Sequence, residues 1–118
     1  MDQFRERAIK LADAIRKIQK KAAIIAKNIT KEADAFIKAN EPDYEKWYAG
    51  VTNNQDVRFA NHKATDTDKN YWQCPSSKFA IDIEKHFELK GCDTGDKHNR
   101  NKDSDVFYVY LKTPKTKE

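Results

Sequence analysis

Residues 47–62 read WYAGVTNNQDVRFANH, and this stretch decides how the rest of the chain is understood. Trp47, Ala49 and Val51 alternate with Tyr48, Gly50 and Thr52, the period of a β-strand with two distinct faces. Asn53-Asn54 supplies a turn and a helix cap, because a short side-chain carbonyl can accept from the backbone N–H groups of the first helical turn. A helix follows from about residue 55 to residue 64, expected to bury Val57, Ala60 and Ala64. Arg58 and His62 stand four residues apart on it and leave from one side, along the flank of that apolar stripe.

Downstream the elements are short and well punctuated. Asp66-Thr67-Asp68-Lys69-Asn70 begins like a calcium loop, but Tyr71 holds the glycine position and no glutamate closes it, so it reads as a plain connection. Residues 71–74 form a short strand. Pro75-Ser76-Ser77 opens a second helix that turns Phe79, Ala80, Ile83 and Phe87 inward and stops at Gly91. Residues 91–104 are a long polar loop. Residues 105–112, DVFYVYLK, carry apolar or aromatic side chains on both faces, as an interior strand does. The last residues, 113–118, read as a frayed tail.

Upstream, residues 2–39 read as helix. Phe4, Ala8, Leu11, Ile15, Ile18, Ala22, Ile25 and Ile29 recur at alternating spacings of four and three, the seam of a coiled coil or helical hairpin. A kink near residues 28–30 fits the slip of the pattern after Ile29. Such a stripe needs a covering surface: the C-terminal domain, a second copy or a folded-back helix. Glu41-Pro42-Asp43 ends the helical region, because proline disfavours helix at the residue before it.

The 118 residues suit one modest core, with a net charge of +4. Residues 1–40 hold ten Lys/Arg against five Asp/Glu, and residues 41–118 hold thirteen against fourteen, so the basicity is confined to the helical arm. A basic arm on a near-neutral body suits a polyanion, although a solvated helix surface has the same composition. No run of about 18 apolar residues is present, which leaves no membrane span, and the first turns carry charges in place of a signal-peptide core. Cys74 and Cys92 lack metal or redox spacing and are expected as free thiols in a reducing cytoplasm.

Tyr48-Ala49-Gly50 followed by Arg58 and His62 on a helix resembles the second half of the GIY-YIG nuclease signature, with Ala49 in place of its isoleucine. The first half of that signature is a strand normally hairpinned to the YIG strand. Val106-Phe107-Tyr108-Val109-Tyr110-Leu111-Lys112 is similar to it, with Val106 in place of the glycine. The resemblance therefore implies a circular permutation, tolerable where termini lie close together. The fold it implies is α+β: a three-stranded antiparallel sheet flanked by helices over residues 42–113, after a helical arm at 1–41 and before a flexible tail at 114–118.

The same resemblance implies metal-dependent hydrolysis of phosphodiester bonds, in DNA ahead of RNA. Glu84, at the edge of its helix's apolar stripe, would hold one Mg²⁺ or Mn²⁺. Arg58 would pair with phosphate oxygens. Tyr108, or otherwise Tyr48, would orient or deprotonate the attacking water, with Tyr110 the fallback in a shifted register. A phenol titrates near pH 10, so a metal or Arg58 would have to lower its pKa for base work. His62 would hydrogen-bond that tyrosine or relay its proton. Lys63, His98, Arg100 and Lys102 would join Arg58 in contacting nucleic acid. The competing expectation is a catalytically inactive member of the same fold that binds nucleic acid or protein, with the arm driving association with a second copy or a partner protein.

Overall fold

Asp2–Asn40 forms one unbroken helix, α1, in the computed structural model, which describes residues 2–95 and 103–118. No kink interrupts it near residue 28, and no second helix folds back on it. At about 1.5 Å per residue α1 is roughly 58 Å long, and it sets the 67 Å length of a molecule only 26 by 21 Å across. Its apolar stripe is treated in two ways. From Ala26 onward, Ala26, Ile29, Ala33 and Ile37 are buried in the main core. Before that point Phe4, Leu11, Ile15, Ile18 and Ile25 stay exposed.

After Pro42 a 3₁₀ turn, Tyr44–Lys46, leads into β1, Trp47–Thr52. There follow α2 (Gln55–Asn61), β2 (Lys69–Gln73), α3 (Ser77–Lys90), β3 (Asp93–Thr94) and β4 (Val106–Leu111). The fold is α+β, as the sequence indicates. The sheet has four strands in the order β2-β4-β1-β3, and it is mixed where three antiparallel strands were expected. The antiparallel trio is β2-β4-β1. The added strand, β3, runs parallel to β1 with Tyr48 opposite Asp93 and Ala49 opposite Thr94. Two residues are too few to show alternation, which is why this strand reads as loop.

β1 and β4 pair along their whole lengths, from Trp47 opposite Leu111 to Thr52 opposite Val106. One face of the pair presents Trp47, Ala49, Val51, Phe107 and Val109 to α3 and the docked half of α1. Phe87 stacks on Phe107 with centroids 5.4 Å apart, and Phe36 meets Trp47 edge-on at 5.6 Å. The Trp47 indole, fully buried, donates to the Glu41 carbonyl at 2.8 Å. α3 begins where Ser76 accepts from the Phe79 N–H and ends at Gly91, whose φ of 119° lies in the left-handed region that glycine enters at no steric cost. Cys74 and Cys92 are unpaired and buried, and burial pushes their thiols up to about 11 and about 12.

Asp34 ties α1 to the body. Its carboxylate takes ion pairs from Lys38 at 2.9 Å and Lys90 at 3.2 Å, and the Tyr44 hydroxyl donates to it. Burial works to raise its pKa, but the hydrogen bonds from Tyr44, Lys38 and Lys90 outweigh that and bring it down to about 2 from 3.8. A carboxylate depressed in the folded state stabilises the fold above its unfolded pKa and loses that contribution as the pH falls through the folded value. Asp34→Asn is therefore expected to cost about 2 kcal/mol near neutral pH. In urea unfolding the gap between variant and parent should close as the pH falls from 3.8 towards 2; a gap independent of pH in that window would contradict it.

Candidate active site

The other face of the β1–β4 pair carries Tyr48, Gly50, Tyr108 and Tyr110, covered by α2. Gly50 lies opposite Tyr108, and a Cβ built on it would stand 2.5 Å from Tyr108 Cζ. Only a residue without a side chain lets the phenol ring lie across the strand here. Tyr48 stacks on Tyr110 with centroids 5.0 Å apart, and His62 lies 4.7 Å from the Tyr48 ring and 5.2 Å from that of Tyr110. Tyr48, Tyr108 and His62 are 5, 2 and 8 % exposed, so this is a buried aromatic cluster.

α2 meets the cluster with a different side from the one its apolar spacing suggests. Val57 is half exposed and Ala60 is exposed. Phe59 is buried instead and packs edge-on against Tyr108 at 5.6 Å. The helix ends at Asn61, with His62 as its C-cap. The chain then turns through Lys63 at φ 53°, which returns Ala64 to the core by a turn and not by helical periodicity. An aromatic ring removes more apolar surface than two small side chains, so Phe59 wins the inward position. His62 comes with it, buried, and not on a solvated flank.

The polar atoms of the cluster form a chain. His62 Nδ1 is 2.9 Å from the Lys117 carbonyl oxygen, and Nε2 is 3.2 Å from the Tyr108 hydroxyl. A carbonyl can only accept, so Nδ1 carries the proton in this contact and Nε2 offers its lone pair to Tyr108. The Tyr48 hydroxyl lies close to this pair, near enough for the Tyr48 and Tyr108 phenols to influence each other's ionisation. The residues expected as a frayed tail complete this network. The Lys117 N–H donates to the His62 carbonyl at 2.6 Å, Thr113 and Thr116 close a turn around Pro114, and the Tyr110 hydroxyl donates to Glu118 at 3.4 Å.

Burial raises the pKa of Tyr48, Tyr108 and Tyr110 above the ordinary value for a phenol. The Arg58 guanidinium lies close enough to favour the ionised forms of Tyr48 and Tyr108, but burial prevails in both. Arg58 by itself therefore does not bring either phenol below its ordinary value, the lowering that base work would require of a metal or Arg58. A phenol inside an apolar layer loses the water that would stabilise its anion, and one half-buried cation does not replace it.

Arg58 itself opens onto a cleft of about 420 Å³ lined by Thr52, Asn53, Asn54, Asn61 and Ser104. Its walls mix these polar groups with the Val57 side chain, and the Arg58 guanidinium gives it the charge to hold a small anion. Glu84 occupies a different layer. It is 5 % exposed on α3, whose inward residues pack against the opposite face of the sheet from the tyrosines. Glu88, one turn later on the same flank, accepts from Thr94 at 3.0 Å, so this flank of α3 looks towards the β3 edge. The expectation of a carboxylate in one cleft with the phenols is therefore corrected: Glu84 sits at the sheet edge, with β1 between it and the tyrosine face.

Among the described residues no group of three or more His, Cys, Asp or Glu side chains is placed to hold a metal. Lys63 is exposed beyond the end of α2. His98, Arg100 and Lys102 lie outside the described residues. The sequence reading missed the Lys117 carbonyl and the asparagines of the cleft. Backbone acceptors leave no mark in a sequence, and asparagine is common in any turn. No helix of the described residues is long and apolar enough to cross a membrane. Compared with known proteins, the chain matches no family model, no curated protein and no solved structure.

Gly50→Ala should cost about 1–3 kcal/mol by forcing the Tyr108 ring off the strand, and should weaken near-ultraviolet circular dichroism. An unfolding midpoint and spectrum equal to the parent's would show that the ring does not depend on the glycine. Tyr108→Phe keeps the ring but removes the hydroxyl that His62 Nε2 contacts. It is expected to cost about 1–3 kcal/mol, the usual penalty for buried polar groups left without a partner, read by the same titration.

Proposed function

We propose that the chain is a GIY-YIG-like, circularly permuted endonuclease that cleaves phosphodiester bonds in DNA with a divalent cation. The observation that supports it is the meeting of Tyr48, Tyr108 and His62 on one sheet face, with the Arg58 charge beside both phenols. The two strands that carry the tyrosines come from opposite ends of the domain, as a permuted order requires.

Arg58 would hold the non-bridging oxygens of a phosphate seated in the polar cleft, where its forked donors match phosphate geometry. The raised phenols are neutral at physiological pH, so neither is a base by itself. Tyr108 serves instead as a path for a proton: a water losing its proton to the Tyr108 oxygen passes the Tyr108 proton to His62 Nε2, 3.2 Å away. The resulting imidazolium keeps its Nδ1–H on the Lys117 carbonyl. As a donor Glu84 suits a hard divalent ion, but it lies across the sheet from the phenols and the Arg58 cleft and is not placed to hold one against a phosphate seated there. The divalent ion of the proposal, Mg²⁺ or Mn²⁺, would have to enter with the substrate phosphate and its water. The exposed lysines and arginines of α1 would add sequence-independent attraction to DNA.

One observation favours the inactive alternative. Tyr48 and Tyr108 are almost wholly covered, and the Tyr108 hydroxyl is already engaged by His62, an arrangement that also suits a purely structural core. That version binds nucleic acid through Arg58 and α1 and cuts nothing. Incubation with supercoiled plasmid, with Mg²⁺ or Mn²⁺ and with chelator, separates the two. Cleavage is expected with metal only, with a loss of about 100-fold or more in Arg58→Ala. Wild-type-like cutting by Arg58→Ala would remove its proposed role, and salt-sensitive binding without cleavage under either metal would leave the binding version.

A further inference from the structure

We infer that the exposed half of α1 is a self-association surface, which pairs antiparallel with the same segment of a second copy of this chain. The inference rests on the seam of α1 alone and is independent of the nuclease reading. Phe4, Leu11, Ile15, Ile18 and Ile25 are 77, 63, 46, 66 and 47 % exposed. They line up with Ala26, Ile29, Ala33 and Ile37, which α1 buries against its own body, so the open stripe continues an interface already formed. The alternating four- and three-residue spacing is that of a two-helix seam, narrower than the apolar face of a helix lying on a membrane. Ile9 and Ile24 project from other sides of the helix and remain in water.

The sizes of the seam residues select the direction. In a parallel, in-register pair Ala8 would face Ala8 and Ala22 would face Ala22, leaving two thin layers in a short contact. In an antiparallel pair with Ile15 opposite the partner's Ile18, each alanine meets a large side chain. Ala8 then faces the partner's Ile25, and Leu11 faces the partner's Ala22. Layers of near-constant volume fill the seam without voids.

Charge selects the register. The flanking positions are Arg5, Ala12 and Gln19 on one side and Arg7, Ala14 and Lys21 on the other. The register shifted by one heptad, with Leu11 opposite the partner's Ile15, would place Arg7 beside the partner's Lys21. With Ile15 opposite Ile18, Arg7 instead meets the partner's Asn28 and Lys21 meets the partner's Ala14. No like charges then face each other across the seam. The two bodies lie at opposite ends of the paired helices, and Phe4 of each reaches the level of the other's Ile29.

Analytical ultracentrifugation of the full chain should give a concentration-dependent species of twice 13.7 kDa. Ile15→Lys and Ile18→Lys should return it to a monomer. Both sites are exposed in the single chain, so the urea midpoint of the body should stay unchanged. Direction is read by thiol cross-linking, in which the buried Cys74 and Cys92 do not compete. Leu11→Cys and Ala22→Cys should each fail to cross-link alone, and the double variant should cross-link into a dimer. A monomer at every concentration would overturn the inference, as would a monomer whose α1 binds vesicles of anionic lipid. Efficient cross-linking by Ala22→Cys alone would show a parallel pair and overturn the arrangement.

Discussion

The pairing of Trp47–Thr52 with Val106–Leu111 is the contact on which both layers of this protein depend. It joins two segments more than fifty residues apart and makes a two-sided wall. One side is the core that receives α3 and the docked half of α1. The other side is the tyrosine layer under α2. Because strand side chains alternate, the register that puts Phe107 and Val109 inside also sets Tyr108 and Tyr110 beside Tyr48. A slip of one residue would exchange the layers and abolish both. The packing core and the candidate site are consequences of the same ladder of hydrogen bonds.

Within the tyrosine layer two electrostatic influences compete, and their balance gives the site its character. Arg58 favours ionised phenols, while burial disfavours them, and burial is the larger effect. The cluster therefore holds its protons, with Tyr108 linked through His62 to the Lys117 carbonyl. The cleft beside Arg58 is open to solvent by comparison. Asp34 shows the opposite balance in the same molecule: three hydrogen-bond donors outweigh desolvation, and the carboxylate stays ionised.

Much of this was readable from residue patterns. The strand–turn–helix at residues 47–61, a serine cap at 76 or 77, the Gly91 terminator and the interior strand near the C-terminal end all follow from alternation and local backbone chemistry, and all are present, the cap being Ser76. So is the sharing of a face by Tyr48, Tyr108 and Tyr110. β3 was not readable, because a two-residue parallel pairing has no period. Nor was the inward face of α2, where the seven helical residues make less than two full turns and Phe59 outweighs Val57 and Ala60. The 113–118 segment looks like a polar end and is instead pinned by backbone groups that every sequence possesses.

What the sequence by itself determined is the longer helices and strands, the basic amphipathic arm, and the set of phenol, imidazole and guanidinium groups available to one sheet face. These depend on interactions within a few residues, whose rules are written in periodicity and caps. Only the tertiary structure decided that burial keeps the phenols protonated, that His62 faces inward, and that Glu84 stands at the sheet edge across β1 from the tyrosines. Those outcomes depend on which layers close over which groups, and the dielectric around a side chain is set by neighbours distant in the chain.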